Sequence, residues 1–232
     1  MQSRLWQLFQ QAARNIQSLS GSGYADQVER ALRILVQAFQ TGHKLLVFGN
    51  GGSAADAQHI CGELVGRFEK ERAGLPALAL SANQAMLTAW SNDYGFESVF
   101  ARQVEALGVP GDVAWGISTS GNSPNVVAAL QAARSRGLCT LGLTGASGGK
   151  VAPWCDVLMA VPLTSTPRIQ EAHCRIGCSA PPITPARPAI CPDRGGVIVE
   201  DIGYPVSEPN AGYTKGFWLI LPFLTWRQPF RS

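Results

Sequence analysis

No stretch of the sequence carries more than two basic residues in a row, and the formal net charge over 232 residues is only +3. The one dense charged patch, Arg67 to Arg72 (RFEKER), is internally balanced. Nothing in this pattern favours binding to nucleic acid or an anionic membrane. A basic leader followed by an apolar core and a cleavage site is also missing, because MQSRLWQLFQQAARNIQ has the pattern of an amphipathic helix. The longest late apolar run, FWLILPFLTW at 217–226, is about half of a membrane span and contains Pro222. These absences predict a soluble, cytoplasmic protein. Six cysteines are present without a zinc-knuckle or redox spacing, and Cys61, Cys139 and Cys155 fall inside helix-like or strand-like patterns. Free, mostly buried thiols are expected rather than disulfides.

Length allows one well-packed domain of about 170 to 200 residues with an appendage. Leu5, Leu8, Phe9, Ala12, Ala13 and Ile16 recur at helical spacing, and a second helix is predicted over 24–39 with Val28, Ala31, Leu32, Leu35 and Val36 on its apolar face. This pair carries more apolar surface than a small sheet needs, as helices that pack against a partner subunit do. Short apolar runs then follow at 44–49, 75–81, 112–118, 139–145 and 156–162. Helix-like segments near 53–68, 84–90, 96–107 and 124–136 divide them. Runs without polar alternation, separated by helices, predict a doubly wound α/β fold with a mostly parallel five-stranded sheet.

After His173 the composition changes, and nine of the fifteen prolines lie between Pro181 and Pro229. Residues 1–178 are therefore read as the folded domain and 179–232 as an atypical proline-rich extension.

Two turns carry the chemistry. Gly49 to Ser53 joins a strand to a helix, so that backbone amides and the Ser53 hydroxyl can face an anion at the helix start. The turn lacks the lysine of an ATP-binding loop and does not fit dinucleotide spacing, which points to the phosphate of a small metabolite or to a purely structural turn. Ser118, Thr119, Ser120, Gly121, Asn122 and Ser123 repeat the design after the third strand and lead through Pro124 into a helix. Such hydroxyls often only cap a helix, but two of these loops at one edge of a parallel sheet suggest a ligand crevice. His59 and Glu63 share a helix face, with Asp56 one turn earlier, while Gln170 and His173 lie one turn apart after Pro167. A carboxylate beside a histidine or metal can move a proton between adjacent carbons, although a plain surface pair has the same spacing. Asn92 and Asp93 are read as a loop that could grip sugar hydroxyls or form an Asx turn.

The segments GNGGSAADAQHICGEL, SNDYGFESVF, GISTSGNSPNVVAAL and TPRIQEAH together resemble sugar isomerase (SIS) domain proteins of the phosphoheptose isomerase type. The resemblance implies a SIS-domain fold of flavodoxin-like or Rossmann-like layers. It also implies isomerisation of sedoheptulose 7-phosphate to D-glycero-D-manno-heptose 7-phosphate for ADP-heptose and lipopolysaccharide core synthesis in a Gram-negative bacterium. A homotetramer with one Zn2+ per subunit and sites at subunit boundaries is implied as well.

Carried over residue by residue, Ser53, Ser118, Thr119, Ser120 and Ser123 would hold phosphate. Asn50, Gly51, Gly52, Asn92 and Asp93 would position the sugar, with Gln170 and Glu63 also at the substrate. His59, Glu63 and Gln170 would be metal ligands, and Glu63 the base that generates an enediol. The family pattern then puts a histidine eight residues after Gln170, where this chain has Cys178, a weak fourth-ligand candidate; His43, His59 and His173 are its only histidines. Pro181 and Pro182 should truncate that closing helix, and the change in composition reads as a reading-frame change in the gene. The alternatives are an impaired isomerase or a non-catalytic SIS-domain protein that binds the DnaA replication initiator.

Overall fold

Leu45 to Phe48 alternate between two hydrophobic cores, and this alternation organises the chain. Leu45 and Val47 join one cluster with Val113, Trp115, Leu141 and Met159, while Leu46 and Phe48 join another with Ala114, Phe100, Val126 and Leu130. Successive side chains of a strand point to opposite faces, so a strand buried on both faces must be apolar throughout. The computed structural model describes residues 2–21, 23–67 and 71–177.

The elements are α1 (Gln2–Leu19), α2 (Tyr24–Gln40), β1 (Leu45–Gly49), α3 (Gly52–Val65), β2 (Ala77–Ala79), α4 (Gln84–Tyr94), α5 (Val99–Leu107), β3 (Val113–Ser118), α6 (Pro124–Ser135), β4 (Cys139–Thr144), β5 (Val157–Ala160) and α7 (Thr166–Gly177). Short 3-10 turns cover Phe96–Ser98 and Gly149–Trp154. The strands form one parallel sheet in the order β2-β1-β3-β4-β5. The helices cover both faces, as the apolar runs require. Leu35, Ile60, Leu64 and Ala172 pack on one side, and Val99, Val104, Leu130 and Ala133 on the other.

From β1 the chain moves outward to β2 and then returns to place β3 on the opposite side of β1. This reversal opens a crevice beyond the carboxyl ends of β1 and β3, the usual ligand position in such sheets. Gly49 lies in register with Ile117, so the glycine-rich turn and the hydroxyl loop leave the sheet side by side. At the opposite edge Lys44 donates to the buried Asp112 carboxylate from its backbone amide (3.0 Å) and its ammonium (2.6 Å). Burial alone would raise the Asp112 pKa, but hydrogen bonds from Lys44 and Val109 and the Lys44 charge lower it overall.

Helix α4 runs to Tyr94, beyond the stop at Trp90 that its composition suggests, and this corrects the loop assignment of Asn92 and Asp93. Gly95, at φ 88°, ends the helix and its amide donates to Ser91 O. At the other end Asn83 Oδ1 caps α4 by accepting from Met86 N at 3.1 Å. Among the described residues Cys61, Cys139, Cys155 and Cys174 are free, as expected, but only Cys61 is buried, with Cys139 and Cys155 partly buried and Cys174 exposed; desolvation pushes the Cys61 and Cys155 pKa values up to about 12. Among the described residues no helix is long and apolar enough to cross a membrane. Cys178 and the 179–232 segment lie outside the described residues.

Candidate active site

The glycine-rich turn closes tightly because Ser53 N donates to Asn50 O and Ala54 N to Gly51 O, both at 3.0 Å. Gly51 sits at φ 55° at the N-cap of α3, and Ser53 is buried. Gly52 has no side chain for a different reason: a Cβ there would collide with Gln170 Nε2 and lie 2.9 Å from Gln170 Cδ. Gln170, far from the glycine-rich turn in sequence, is thereby brought against it by α7.

The hydroxyl loop is braced on three sides. Gly121 N donates back to Ser118 O (3.0 Å), Gly145 N donates to Thr119 O (3.0 Å), and Val151 N donates to Gly121 O (3.0 Å). Lys150 N donates to Asn122 Oδ1 at 3.0 Å. Gly121 has φ 67°, and a Cβ would collide with Gly148 O, so only glycine fits this close approach. Ser118 Oγ and Ser123 Oγ are 3.0 Å apart and hydrogen-bonded, and Pro124 follows as the first residue of α6.

Beside this loop lies a cleft of about 250 Å³. Its polar lining comes from Thr119, Ser120, Asn122, Ser147, Thr164 and Thr166. Of the residues expected at phosphate, Thr119 and Ser120 line the cleft, whereas Ser118 and Ser123 are engaged with one another. Ser147, Thr164 and Thr166 escaped the sequence reading. The rule that singled out the turns after β1 and β3 would have found them if it had been extended to the strand ends of β4 and β5.

On α3, His59 Nε2 lies 3.9 Å from Glu63 Oε1, and the Glu63 side chain is 32% exposed. The far end of this helix is held by Arg72, whose guanidinium donates to the carbonyls of Glu63 (2.9 Å) and Leu64 (2.7 Å). A cation on these carbonyls satisfies acceptors that an α-helix end leaves free. Arg72 thus caps the end of the helix that carries Glu63, beyond its place in a balanced surface patch. Burial raises the Asp56 pKa, partly offset by the charge of His59, and Asp56 Oδ2 is buried with no hydrogen-bond partner. Asn92 Nδ2 donates to Asp93 Oδ1 at 2.9 Å on the exposed last turn of α4.

His173 is fully buried on α7, its Nε2 3.3 Å from Thr144 O. Burial pushes its pKa down to about 4, with the Thr144 carbonyl acting weakly in the other direction. This histidine fastens α7 to the end of β4.

The expectation of a Zn2+ site at His59, Glu63 and Gln170 is not met. Among the described residues no three His, Cys, Asp or Glu side chains come together to hold a metal ion. The helical spacing supplies only the His59 and Glu63 pair, and the third expected ligand is an amide packed on Gly52. Cys178, the remaining candidate, lies outside the described residues.

A parallel sheet with this strand order and two oxygen-rich loops at its switch point defines a class: residues 8–145 match a family profile described as "SIS domain". Within that class the chain is 61% identical over 142 residues to the phosphoheptose isomerase of Pelobacter propionicus, covering 61% of this chain and 75% of the relative. It is 58% identical over 139 residues to that of Trichlorobacter lovleyi, covering 60% and 71%. The solved structure of phosphoheptose isomerase GmhA from Neisseria gonorrhoeae superposes with a TM-score of 0.71 at 42% identity, over 76% of this chain and 96% of that one. The chain belongs to the phosphoheptose isomerase family of SIS-domain proteins.

Proposed function

We propose that this protein interconverts sedoheptulose 7-phosphate and D-glycero-D-manno-heptose 7-phosphate, supplying the heptose of the lipopolysaccharide core through ADP-heptose. The observation that carries the reading is the half-exposed Glu63 paired with His59 on the helix that opens from the glycine-rich turn. Thr119 and Ser120, with the Gly52 amide at the start of α3, would take the phosphate, and Ser53, Ser118 and Ser123 would shape that end of the site. Gly51, Gly52, Asn50, Asn92, Asp93 and Gln170 would orient the sugar chain. Glu63 would remove the proton from C1 of the ketose and return it to C2, while the second proton passes from O1 to O2. The C1–H and O1–H bonds broken are replaced by C2–H and O2–H bonds, the enediol between these steps is neutral overall, and no carbon–carbon bond is cleaved. A phosphorylated substrate of this kind favours a cytoplasmic setting.

The test is turnover of sedoheptulose 7-phosphate by the purified full-length chain beside Glu63→Gln. Turnover that the substitution abolishes supports the reading. A folded chain with no turnover would overturn it in favour of the impaired or DnaA-binding alternative, which the absence of the family histidine at Cys178 favours.

Gly52→Ala should perturb Gly52 and Gln170 together as one sugar-orienting contact. The obstructing atoms are the tip of a flexible side chain, so the fold should tolerate the new methyl while Gln170 is displaced. The expected result is a rise in KM of about tenfold, the equivalent of one hydrogen bond, with a melting temperature within about 4 °C of the parent. An unchanged KM would remove the Gly52 and Gln170 contact from the substrate.

The same reading makes the assembly a homotetramer. Leu5, Leu8 and Phe9 form an i, i+3, i+4 stripe on α1 and remain 52%, 43% and 50% exposed, beside Trp6 at 64%. A stripe of this kind is usually covered by another chain. Sedimentation should give a four-chain species that the Leu5→Glu/Phe9→Glu double substitution dissociates; a monomeric parent would refute the assignment.

A further inference from the structure

Asn50 and Asn125 are 75 positions apart in sequence, and their side-chain amides form a closed pair. Asn50 Nδ2 donates to Asn125 Oδ1, and Asn125 Nδ2 donates to Asn50 Oδ1, both at 2.9 Å. Asn125 is only 2% exposed. Flipping either amide would set donor against donor and acceptor against acceptor, so the pair fixes the plane of each group. Breaking it on one side leaves buried polar atoms unpaired, which costs more than the bond itself contributes.

The location gives this pair its meaning. Asn50 directly follows β1 and precedes the Gly51–Gly52 turn, whose Ser53 amide donates to the Asn50 carbonyl. Asn125 is the second residue of α6, directly behind the Ser118–Ser123 loop. The amide pair is therefore a crossbar between the two loops that leave the sheet at the switch point. Each amide still has one N–H and one acceptor position uncommitted, so Asn50 can serve the crossbar and a sugar hydroxyl together.

We propose that Asn125 is a positioning residue that orients Asn50 and joins the glycine-rich turn to the hydroxyl loop as one preorganised phosphosugar cradle. The functional half of this proposal rests on the isomerase reading above. Preorganisation of this kind raises affinity by removing the ordering cost from the binding step.

Amide hydrogen exchange on the ligand-free, full-length chain, together with calorimetric binding of sedoheptulose 7-phosphate, tests it. The variants are Asn125→Ala, the isosteric Asn125→Asp, Asn50→Ala and the Asn50→Ala/Asn125→Ala double substitution. Asn83→Ala, which removes the cap of α4, serves as a control for general destabilisation. Loss of Asn125 should speed exchange in residues 51–54 and 119–123 about tenfold while the rest of the sheet is unchanged, and should raise the dissociation constant about tenfold. Asn125→Asp keeps the acceptor for Asn50 Nδ2 but sets a buried carboxylate oxygen against Asn50 Oδ1, so it should give a change of the same pattern at least as large as that of Asn125→Ala. The double variant should bind no worse than either single one, because the two residues act as a unit.

Exchange that stays at the parent rate, or that rises evenly over the chain as in Asn83→Ala, would overturn the proposal. So would an unchanged dissociation constant or strictly additive effects. If the parent binds no sedoheptulose 7-phosphate, the isomerase reading fails by itself, and the exchange arm still decides the crossbar: selective acceleration upholds it and none overturns it.

Discussion

Glu63→Gln is expected to lower kcat for sedoheptulose 7-phosphate about 1,000-fold while leaving KM within about threefold of the parent. A positioned base contributes roughly 10² to 10⁴ in rate, and the amide keeps the shape of the side chain while losing its ability to take the C1 proton. Gln and Glu have similar helix propensities, and the side chain is 32% exposed, so the substitution leaves no buried charge uncompensated. The fall should therefore appear in kcat and kcat/KM together, the pattern of an interaction made in the transition state. Deuterium uptake at C1 of the ketose from heavy water gives an independent reading, because it requires proton removal but not completion of the isomerisation. Uptake at the parent rate in Glu63→Gln would assign the base to another residue.

The strands were legible because burial on both faces leaves no room for polar alternation. The runs at 44–49, 112–118, 139–145 and 156–162 enclose β1, β3, β4 and β5. The run at 75–81 contracts to the three residues of edge strand β2, beside Pro76, which has no amide to donate to a ladder. The end of α4 was hidden because Ser91, Asn92 and Asp93 favour turns in isolation. Tertiary contacts override that preference: Trp90 stacks on Tyr94 at 4.3 Å between ring centres, and its Nε1 donates to Ser98 Oγ. The oxygen-rich loops were visible as patterns, since each directly follows a strand. What lay beyond reach were pairings between distant positions. The partnership of Asn50 with Asn125 depends on register between β1 and β3, and the fit of Gln170 on Gly52 depends on where α7 docks. The metal expectation failed at the same level, because helical spacing provides two ligands while a third must arrive from elsewhere in space.

Between pH 6.5 and about 4, His173 should remove on the order of 3 kcal/mol of folding stability. Its pKa in the folded protein is pushed down to about 4 by burial, against 6.5 in an exposed histidine. Across that window the unfolded chain binds a proton that the folded chain refuses, so stability falls as the pH falls and is fully present above about 6.5. About 2.5 pKa units at 1.36 kcal/mol each set the magnitude, and the loss levels off below the folded pKa. The structural cause is specific: neutral His173 can donate from Nε2 to Thr144 O and leave Nδ1 as a bare acceptor. Protonation instead puts a buried N–H at Nδ1, where no acceptor stands. Asp56, whose pKa is raised by burial, acts in the opposite direction, and the lowered Asp112 adds its own loss at more acid pH. Urea midpoints at pH 7 and pH 4.5 for the parent and His173→Gln separate these contributions, because glutamine can still donate to Thr144 O but does not titrate. The variant should lose most of the pH dependence in this interval. An equal fall in both proteins would shift the acid sensitivity to other groups. Since α7 also brings Gln170 to Gly52, substrate affinity should decline over the same pH range, before the whole domain unfolds.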